Sequence, residues 1–162
     1  MAGQLSSKPQ SPQALASHRP IRYRWPMPAA QPPDPPRIVL DPHPPDEALA
    51  ALWLRAWGDA GPATFRPVLE RSLAHVGAYH GTRLVGFVNV AWDGGIHAFI
   101  LDTCVDSAWR RRGIATRLVS QAIDAARDRG ARWLHVDCEP HLQGFYRACG
   151  FSNTTAGLIR LR

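Results

Sequence analysis

Residues 105–129 read VDSAWRRRGIATRLVSQAIDAARDR, passing from the end of an apolar run through an arginine-rich turn into an amphipathic segment. Apolar side chains recur every fourth residue and predict the buried face of a helix: Ile114, Leu118, Ala122 and Ala126. A polar stripe follows another face of the same helix: Arg117, Gln121, Asp124 and Asp128. Because glycine tolerates the left-handed conformation, Gly130 predicts the end of the helix.

The start of this predicted helix has the properties of an anion-binding site. The first N–H groups of a helix have no partner within it, and the helix dipole adds positive potential there. Gly113 lets a phosphate approach the backbone closely, and Ala115 is the next small residue. Positive charge surrounds the turn at Arg110, Arg111 and Arg112. The alternative is a solvated basic turn without a ligand, since runs of charge often form solvated faces.

Composition and cysteine content restrict the class of protein. A chain of 162 residues that is 45% hydrophobic predicts one domain with its own core. We expect no membrane span, because no run approaches about 18 apolar residues, and no secretory signal, because the N-terminus lacks an apolar segment. Cys104, Cys138 and Cys149 are an odd set without C-x-x-C spacing, which argues against a disulfide framework or a metal site. We therefore expect a cytoplasmic protein that binds no metal.

Residues 1–36 differ in composition from the rest of the chain. They hold nine of the 15 prolines and carry four basic residues against Asp34, a net charge of +3, whereas the formal charge of the whole chain is +6. Proline removes backbone donors, and such a segment has little apolar surface to bury. The sequence predicts a disordered, proline-rich basic tail over residues 1–36 and a folded domain over residues 37–162.

The patterns after this tail predict an alternation of strands and helices. Asp46 predicts an N-cap for the first helix, and Asp93-Gly94-Gly95 predicts a tight turn between two strands. The predicted strands are Arg37–Leu40, His75–Tyr79, Leu84–Trp92, Ile96–Val105 and Trp133–Cys138, with a short hairpin or strand after Phe151. The predicted helices are a first one after Asp46, then Phe65–Leu73, the long helix after Gly113, and His141–Cys149.

Two local motifs resemble those of the GCN5-related N-acetyltransferase (GNAT) family. Arg110, Gly113 and Ala115 fill the fixed positions of the acyl-CoA signature Q/R-x-x-G-x-G/A, and Phe145–Phe151 is similar to F-Y-x-x-x-G-F. Neither a P-loop nor a G-x-G-x-x-G dinucleotide pattern is present. The resemblance spans residues 37–162 and implies an α/β (α+β) acyl-CoA N-acyltransferase fold. That fold has a mixed, mostly antiparallel twisted sheet, flanking helices and splayed central strands.

The resemblance also implies where acetyl-CoA, the expected co-substrate, would bind. It would lie in the gap between the splayed strands, with its pantetheine on the backbone of Thr103, Cys104 and Val105. The turn at the start of the long helix would hold the pyrophosphate through Arg110, Arg111, Arg112, Gly113, Ile114, Ala115 and Thr116.

The implied chemistry is direct attack of an amine on the thioester carbonyl. Tyr146 occupies the position of a family tyrosine that protonates the departing sulfur, although a tyrosine packed in a helix is the alternative. Asp102 and Glu139 are the candidate bases for the amine proton, and a water chain could serve instead. Many family members carry Asn where Glu139 stands, which leaves open how this end of the pantetheine channel is bonded.

The leading functional interpretation is an N-acetyltransferase that moves an acetyl group from acetyl-CoA to a primary amine. A non-catalytic acyl-CoA-binding or regulatory module is a second hypothesis. A nucleic-acid-associated basic protein is a third, and the lack of aromatic residues interleaved with basic ones counts against it. The expected partners are acetyl-CoA and an amine acceptor, either a small molecule or a peptide or protein; a homodimer is compatible with the sequence, and we expect no membrane partner.

Overall fold

The computed structural model describes residues 34–161 and contains one five-stranded sheet. The strands lie in chain order: β1 (Arg37–Leu40), β2 (Ser72–His80), β3 (Arg83–Trp92), β4 (His97–Val105) and β5 (Trp133–Val136). The first three pairings are antiparallel and the β4–β5 pairing is parallel. The predicted mixed, mostly antiparallel sheet is therefore confirmed.

Helices cover both faces of this sheet and divide the core into two clusters. The helices are α1 (Asp46–Trp57), α2 (Arg66–Leu69), α3 (Ile114–Asp128) and α4 (Gln143–Ala148). Residues of α3 and α4 pack against one face, and residues of α1 pack with Phe65, Phe87 and Cys104 against the other. Two 3-10 turns, Ser107–Trp109 and Pro140–Leu142, precede α3 and α4. Within residues 34–161, no helix combines the length and hydropathy that a bilayer span requires.

The long helix α3 has the buried face that its sequence period predicts. The four residues of the apolar stripe are at most 2% exposed: Ile114, Leu118, Ala122 and Ala126. Gly130 has a φ of 93°, and the Ala131 N–H donates to the Ala126 carbonyl at 3.0 Å, so the predicted glycine stop is confirmed.

The structure corrects the predictions around the first two helices. The N-cap of α1 is Pro45, and the Asp46 carboxylate accepts instead from the Phe65 N–H at 2.7 Å. Asp46 thus ties α1 to the segment before α2, a contact too distant in sequence for local capping rules to find. The helix predicted over Phe65–Leu73 is only the single turn of α2, because β2 already begins at Ser72 and pairs with β3 there.

The last third of the chain also differs from its predicted elements. The strand predicted to reach Cys138 ends at Val136, and the helix predicted over His141–Cys149 is the Pro140–Leu142 turn followed by α4. Residues 151–161 form neither strand nor helix, so the predicted final strand is wrong over that range. The outer edge of β5 therefore has no strand partner among the described residues.

The predicted tail lies outside the described residues except for positions 34–36. Pro36 is buried, and its carbonyl accepts from Arg117 Nη1 at 2.9 Å, so the described part of the tail already contacts the domain just before Arg37. Disorder of the tail stays a prediction.

A chain that begins at Asp34 is expected to keep its thermal midpoint within a few degrees of the full chain, because it retains Pro36 and its contact with Arg117. Differential scanning calorimetry of the two proteins measures this. A larger loss would mean that residues before Asp34 contribute to the core, for which Ile21–Trp25 is the apolar-aromatic stretch of the tail.

Candidate active site

The candidate site lies where β4 and β5 separate. Their parallel pairing joins His97–Ile100 to Trp133–Val136 and then stops, while β4 continues to Val105. The backbone of residues 101–105 therefore faces a gap on the β5 side instead of a neighbouring strand. This confirms the predicted splayed central strands and leaves backbone donors and acceptors of β4 exposed to a ligand.

A β-bulge distorts β4 beside this gap. Phe87 pairs with Cys104 and Asn89 with Leu101, so two steps along β3 correspond to three along β4. Asp102 lies at this irregularity and has a φ of 55°, which is uncommon for a residue other than glycine. The bulge changes the direction of the strand next to the gap, as bulges near functional sites often do.

A cleft of about 540 Å³ opens at the gap. Its lining includes all three candidate catalytic residues: Asp102, Glu139 and Tyr146. Trp57, at the end of α1, also borders the cleft and is half-exposed, whereas Trp53 one turn earlier is buried in the core. The tertiary structure thus brings together residues from α1, β4, the segment after β5 and α4.

Tyr146 is held rigidly at the wall of the cleft. It is 6% exposed, and its ring makes edge contacts with Phe145 and Phe151 at centroid distances of 4.9 and 5.7 Å. The Phe151 N–H donates to the Tyr146 carbonyl at 3.1 Å next to Gly150, whose φ of 97° closes α4. The F-Y-x-x-x-G-F motif therefore has a packing role that orients the tyrosine.

Burial raises the pKa of the Tyr146 phenol above its usual value, so this group keeps its proton near neutral pH. The nearby Thr103 hydroxyl acts to lower the pKa of Tyr146, although its Oγ1 does not meet the geometry of a hydrogen bond with the phenol. Thr103 Oγ1 is buried and has no hydrogen-bond partner within the part of the chain described. Buried hydroxyls are normally paired, so this atom is an exception beside the Tyr146 phenol.

The two candidate bases have different surroundings. Burial raises the pKa of Asp102, and the Asn89 side chain opposes this shift only partly. A carboxylate with a raised pKa is a better proton acceptor for an amine than an ordinary one. Glu139 is exposed at the cleft, at the start of the Pro140–Leu142 turn. Burial therefore distinguishes Asp102 from Glu139 as a candidate base.

A second cavity, of about 240 Å³, lies at the start of α3. Six of the seven residues predicted to hold a pyrophosphate line this cavity: Arg110, Arg111, Gly113, Ile114, Ala115 and Thr116. Gly113 is the N-cap, with a φ of 72° and no atom within 4 Å of the place where a Cβ would stand. No side chain of the described residues caps α3, so its first N–H groups remain available.

Two of the predicted cofactor-binding residues have buried side chains, Ile114 and Cys104. Ile114 is 2% exposed in the core, so only its backbone could serve a ligand. Cys104 is also buried, and burial raises the pKa of its thiol to about 12. Cys104 could therefore contribute through its backbone alone, and its thiol is unsuited to nucleophilic work.

The arginines of the turn have separate structural partners. Arg110 Nη2 donates to the Ala56 carbonyl at 2.6 Å, which connects the turn to the end of α1. Arg112 stacks over the Trp109 ring at 4.7 Å. Arg111 has a φ of 64° and lines the cavity. The predicted positive charge is present at the cavity, and the Arg110 side chain also holds the turn against the end of α1.

Sequence reasoning missed Asp106, a buried carboxylate that holds the segment between β4 and α3 in place through two ion pairs and a backbone hydrogen bond. Asp106 is 1% exposed, and its Oδ2 lies 2.7 Å from Arg55 Nε and 2.6 Å from Arg83 Nη2. Its Oδ1 accepts from the Ala108 N–H at 3.0 Å and so caps the Ser107–Trp109 turn. An aspartate directly after a strand and directly before the Ser107–Trp109 turn was the available local signal.

Replacement of Asp106 by Asn is expected to lower the free energy of unfolding by about 3 kcal/mol, at the lower end of the cost of breaking a buried ion pair, because both arginines reach solvent. Burial acts to raise the pKa of Asp106, but hydrogen bonds from Ala108, Arg83 and Arg55 outweigh it and lower the pKa. The stabilisation is therefore complete above the unfolded-state pKa of about 3.9 and is lost as pH falls through the folded-state value.

Urea unfolding at several pH values measures this difference. The stabilities of variant and parent should converge in acid. The control is Asp124→Asn, which removes an exposed pair with Arg127 and is expected to cost under about 1 kcal/mol. Equal stability of the Asp106 variant and the parent at pH 7 would contradict the anchoring role.

A family profile described as the acetyltransferase (GNAT) family matches residues 35–151. The chain therefore belongs to the GNAT family. It is 42% identical over 59 residues to glucosamine 6-phosphate N-acetyltransferase 1 of Oryza sativa subsp. japonica, which covers 35% of this chain and 36% of that relative. The chain thus matches about a third of the length of this curated relative.

Solved structures show the same fold at low sequence identity. A probable acetyltransferase of unknown function from meticillin-resistant Staphylococcus aureus superimposes with a TM-score of 0.66 and 21% identity, over 78% of this chain and 98% of that one. An aminoglycoside N-acetyltransferase solved in complex with CoA gives a TM-score of 0.61 and 20% identity, over 78% and 95%. At these identities the likeness is one of fold.

Proposed function

We propose that the protein transfers the acetyl group of acetyl-CoA to a primary amine. The observation that carries this proposal is the cleft at the β4–β5 separation, which brings the buried Tyr146 phenol and the Asp102 carboxylate to one opening. Membership of the acetyltransferase family supports it, as does the likeness to a glucosamine 6-phosphate N-acetyltransferase and to an aminoglycoside N-acetyltransferase.

The residues of the described chain fit acetyl-CoA. The uncapped start of α3, with open space at Gly113 and two arginines around the cavity, suits a pyrophosphate. The unpaired edge of β4 over Thr103, Cys104 and Val105 suits an extended amide-containing chain. When bound, acetyl-CoA supplies an acetyl group already activated as a thioester.

Asp102 and Tyr146 divide the proton transfers of the reaction. Asp102, or water held by it, accepts the proton that the amine must lose, and the new N–C bond forms as the C–S bond breaks. Tyr146 donates its phenolic proton to the departing sulfur. A backbone N–H of β4 near Val105 stabilises negative charge on the carbonyl oxygen. The raised pKa of Asp102 makes its carboxylate a better proton acceptor, and the raised pKa of Tyr146 keeps the phenol protonated before the sulfur departs.

A thiol-release assay with acetyl-CoA and a panel of amines, peptides and polyamines tests the proposal, with mass spectrometry of the acetylated product. Acceptor-dependent thiol release supports it. Tight acetyl-CoA binding without turnover of any amine would favour the non-catalytic acyl-CoA-binding module. Affinity for nucleic acid that falls steeply with salt would favour the third hypothesis.

The homodimer and the cytoplasmic location stay predictions. Sedimentation velocity of the full chain tests the first, and cell fractionation tests the second.

A further inference from the structure

The charges of the cleft and of the cavity at the start of α3 have opposite signs. Three acidic side chains line the cleft: Asp102, Asp137 and Glu139. None of its lining residues, within the chain from 34 to 161, is Lys, Arg or His. The cavity at the start of α3 is lined instead by Arg110 and Arg111 and contains no acidic residue in its lining.

The two sets of charges favour different ligands. The basic cavity suits the phosphates of the acetyl donor, whose thioester end reaches Tyr146, so the acidic part of the cleft beside Asp137 and Glu139 is left for the acceptor. A phosphate group on the acceptor would lie among carboxylates that repel it, an effect that added salt weakens. A second ammonium group on the acceptor would be attracted by the same carboxylates.

The apolar part of the cleft wall suits the carbon chain between two ammonium groups of an acceptor. Leu101 and Trp57 border the cleft with large exposed apolar surfaces, 46% and 49% exposed. An indole face also attracts a cation that lies over it. Because the thioester end of acetyl-CoA shares this volume of about 540 Å³, the acceptor is a small molecule.

We propose that the acceptor is a small polycationic amine, which carries at least one positive charge besides the amine that is acetylated. The inference rests on the proposed function of the same cleft. Asp137 is the specificity-determining residue: it lines the cleft and is exposed, and the transfer steps themselves do not require it.

Kinetics of the full chain with three acceptors test this proposal. Spermidine carries several positive charges, glucosamine carries one, and glucosamine 6-phosphate adds a phosphate. We expect kcat/KM to be at least about tenfold higher for spermidine than for glucosamine, a difference that should shrink as salt is added, and lowest for the phosphorylated sugar. A basic peptide serves as a fourth acceptor, and a higher kcat/KM for this peptide than for spermidine would contradict a free polyamine as the acceptor.

Asp137→Asn is expected to raise KM for spermidine about tenfold, while KM for glucosamine changes less than about twofold and kcat is retained. The matched control is Asp128→Asn, which removes the same charge from an exposed position on α3 outside the cleft. It should alter neither KM. An equal effect of the two variants on spermidine would overturn the role of Asp137.

Calorimetry separates failure of this inference from failure of the proposed function. Spermidine that binds through Asp137, with no thiol release from any acceptor, would support the polycation site and contradict acetyl transfer. Thiol release with glucosamine 6-phosphate as the better acceptor would support acetyl transfer and overturn the polycation site. If spermidine neither binds nor reacts, the inference is wrong.

Discussion

Gly113→Val is expected to weaken acetyl-CoA binding about a hundredfold or more while the domain remains folded. The new side chain meets no protein atom within 4 Å at its Cβ, so it fills space beside the cavity without disturbing the core. It would keep a phosphate away from the uncapped N–H groups of α3. Loss of two charge-assisted hydrogen bonds of about 1.5 kcal/mol each corresponds to a hundredfold change in affinity.

Backbone strain needs a matched control, because Gly113 has a φ of 72° and valine disfavours that conformation. Gly130→Val imposes a similar strain at the other end of the same helix, with a φ of 93° and equally open space. Both variants should lose about 1–2 kcal/mol of stability, but only the Gly113 variant should lose affinity. Calorimetry that finds unchanged affinity in the Gly113 variant would rule out this turn as the pyrophosphate site.

Tyr146→Phe is expected to lower kcat by roughly ten- to a thousandfold and to leave acetyl-CoA affinity nearly unchanged. The hydroxyl helps only as negative charge develops on the departing sulfur, so it matters more in the transition state than in the bound state. The ring contacts with Phe145 and Phe151 persist in the variant, and the hydroxyl has no hydrogen bond of good geometry to lose with Thr103. Steady-state kinetics and calorimetry measure the two quantities.

Two controls make this test specific. Tyr79→Phe removes a hydroxyl whose pKa burial also raises, on β2 and outside the cleft lining, and should leave kcat unchanged. A thioester whose thiol has a lower pKa should reduce the defect of the Tyr146 variant, since its leaving group needs less protonation. Equal kcat for variant and parent would leave Tyr146 as a packing residue, and a parallel loss of affinity would assign it to positioning of acetyl-CoA.

The amino-acid sequence by itself determined the elements whose signals are local. The period of Ile114, Leu118, Ala122 and Ala126 and the Gly130 stop define α3, because helix packing and helix termination depend on neighbours three or four residues away. The two family motifs indicated the fold class and Tyr146. Where a contact joined distant segments, as Asp46 does with the Phe65 N–H, local rules assigned the wrong role.

Only the tertiary structure decided how the site is assembled. The end of the β4–β5 pairing after Ile100, the bulge at Asp102 and the ion pairs of Asp106 with Arg55 and Arg83 all depend on partners from other segments. The same is true of the acidic lining shared by Asp102, Asp137 and Glu139. Strand register, burial and the charge around a cleft are properties of packed surfaces, and residues far apart in the chain set them jointly, so no single stretch of sequence contains them.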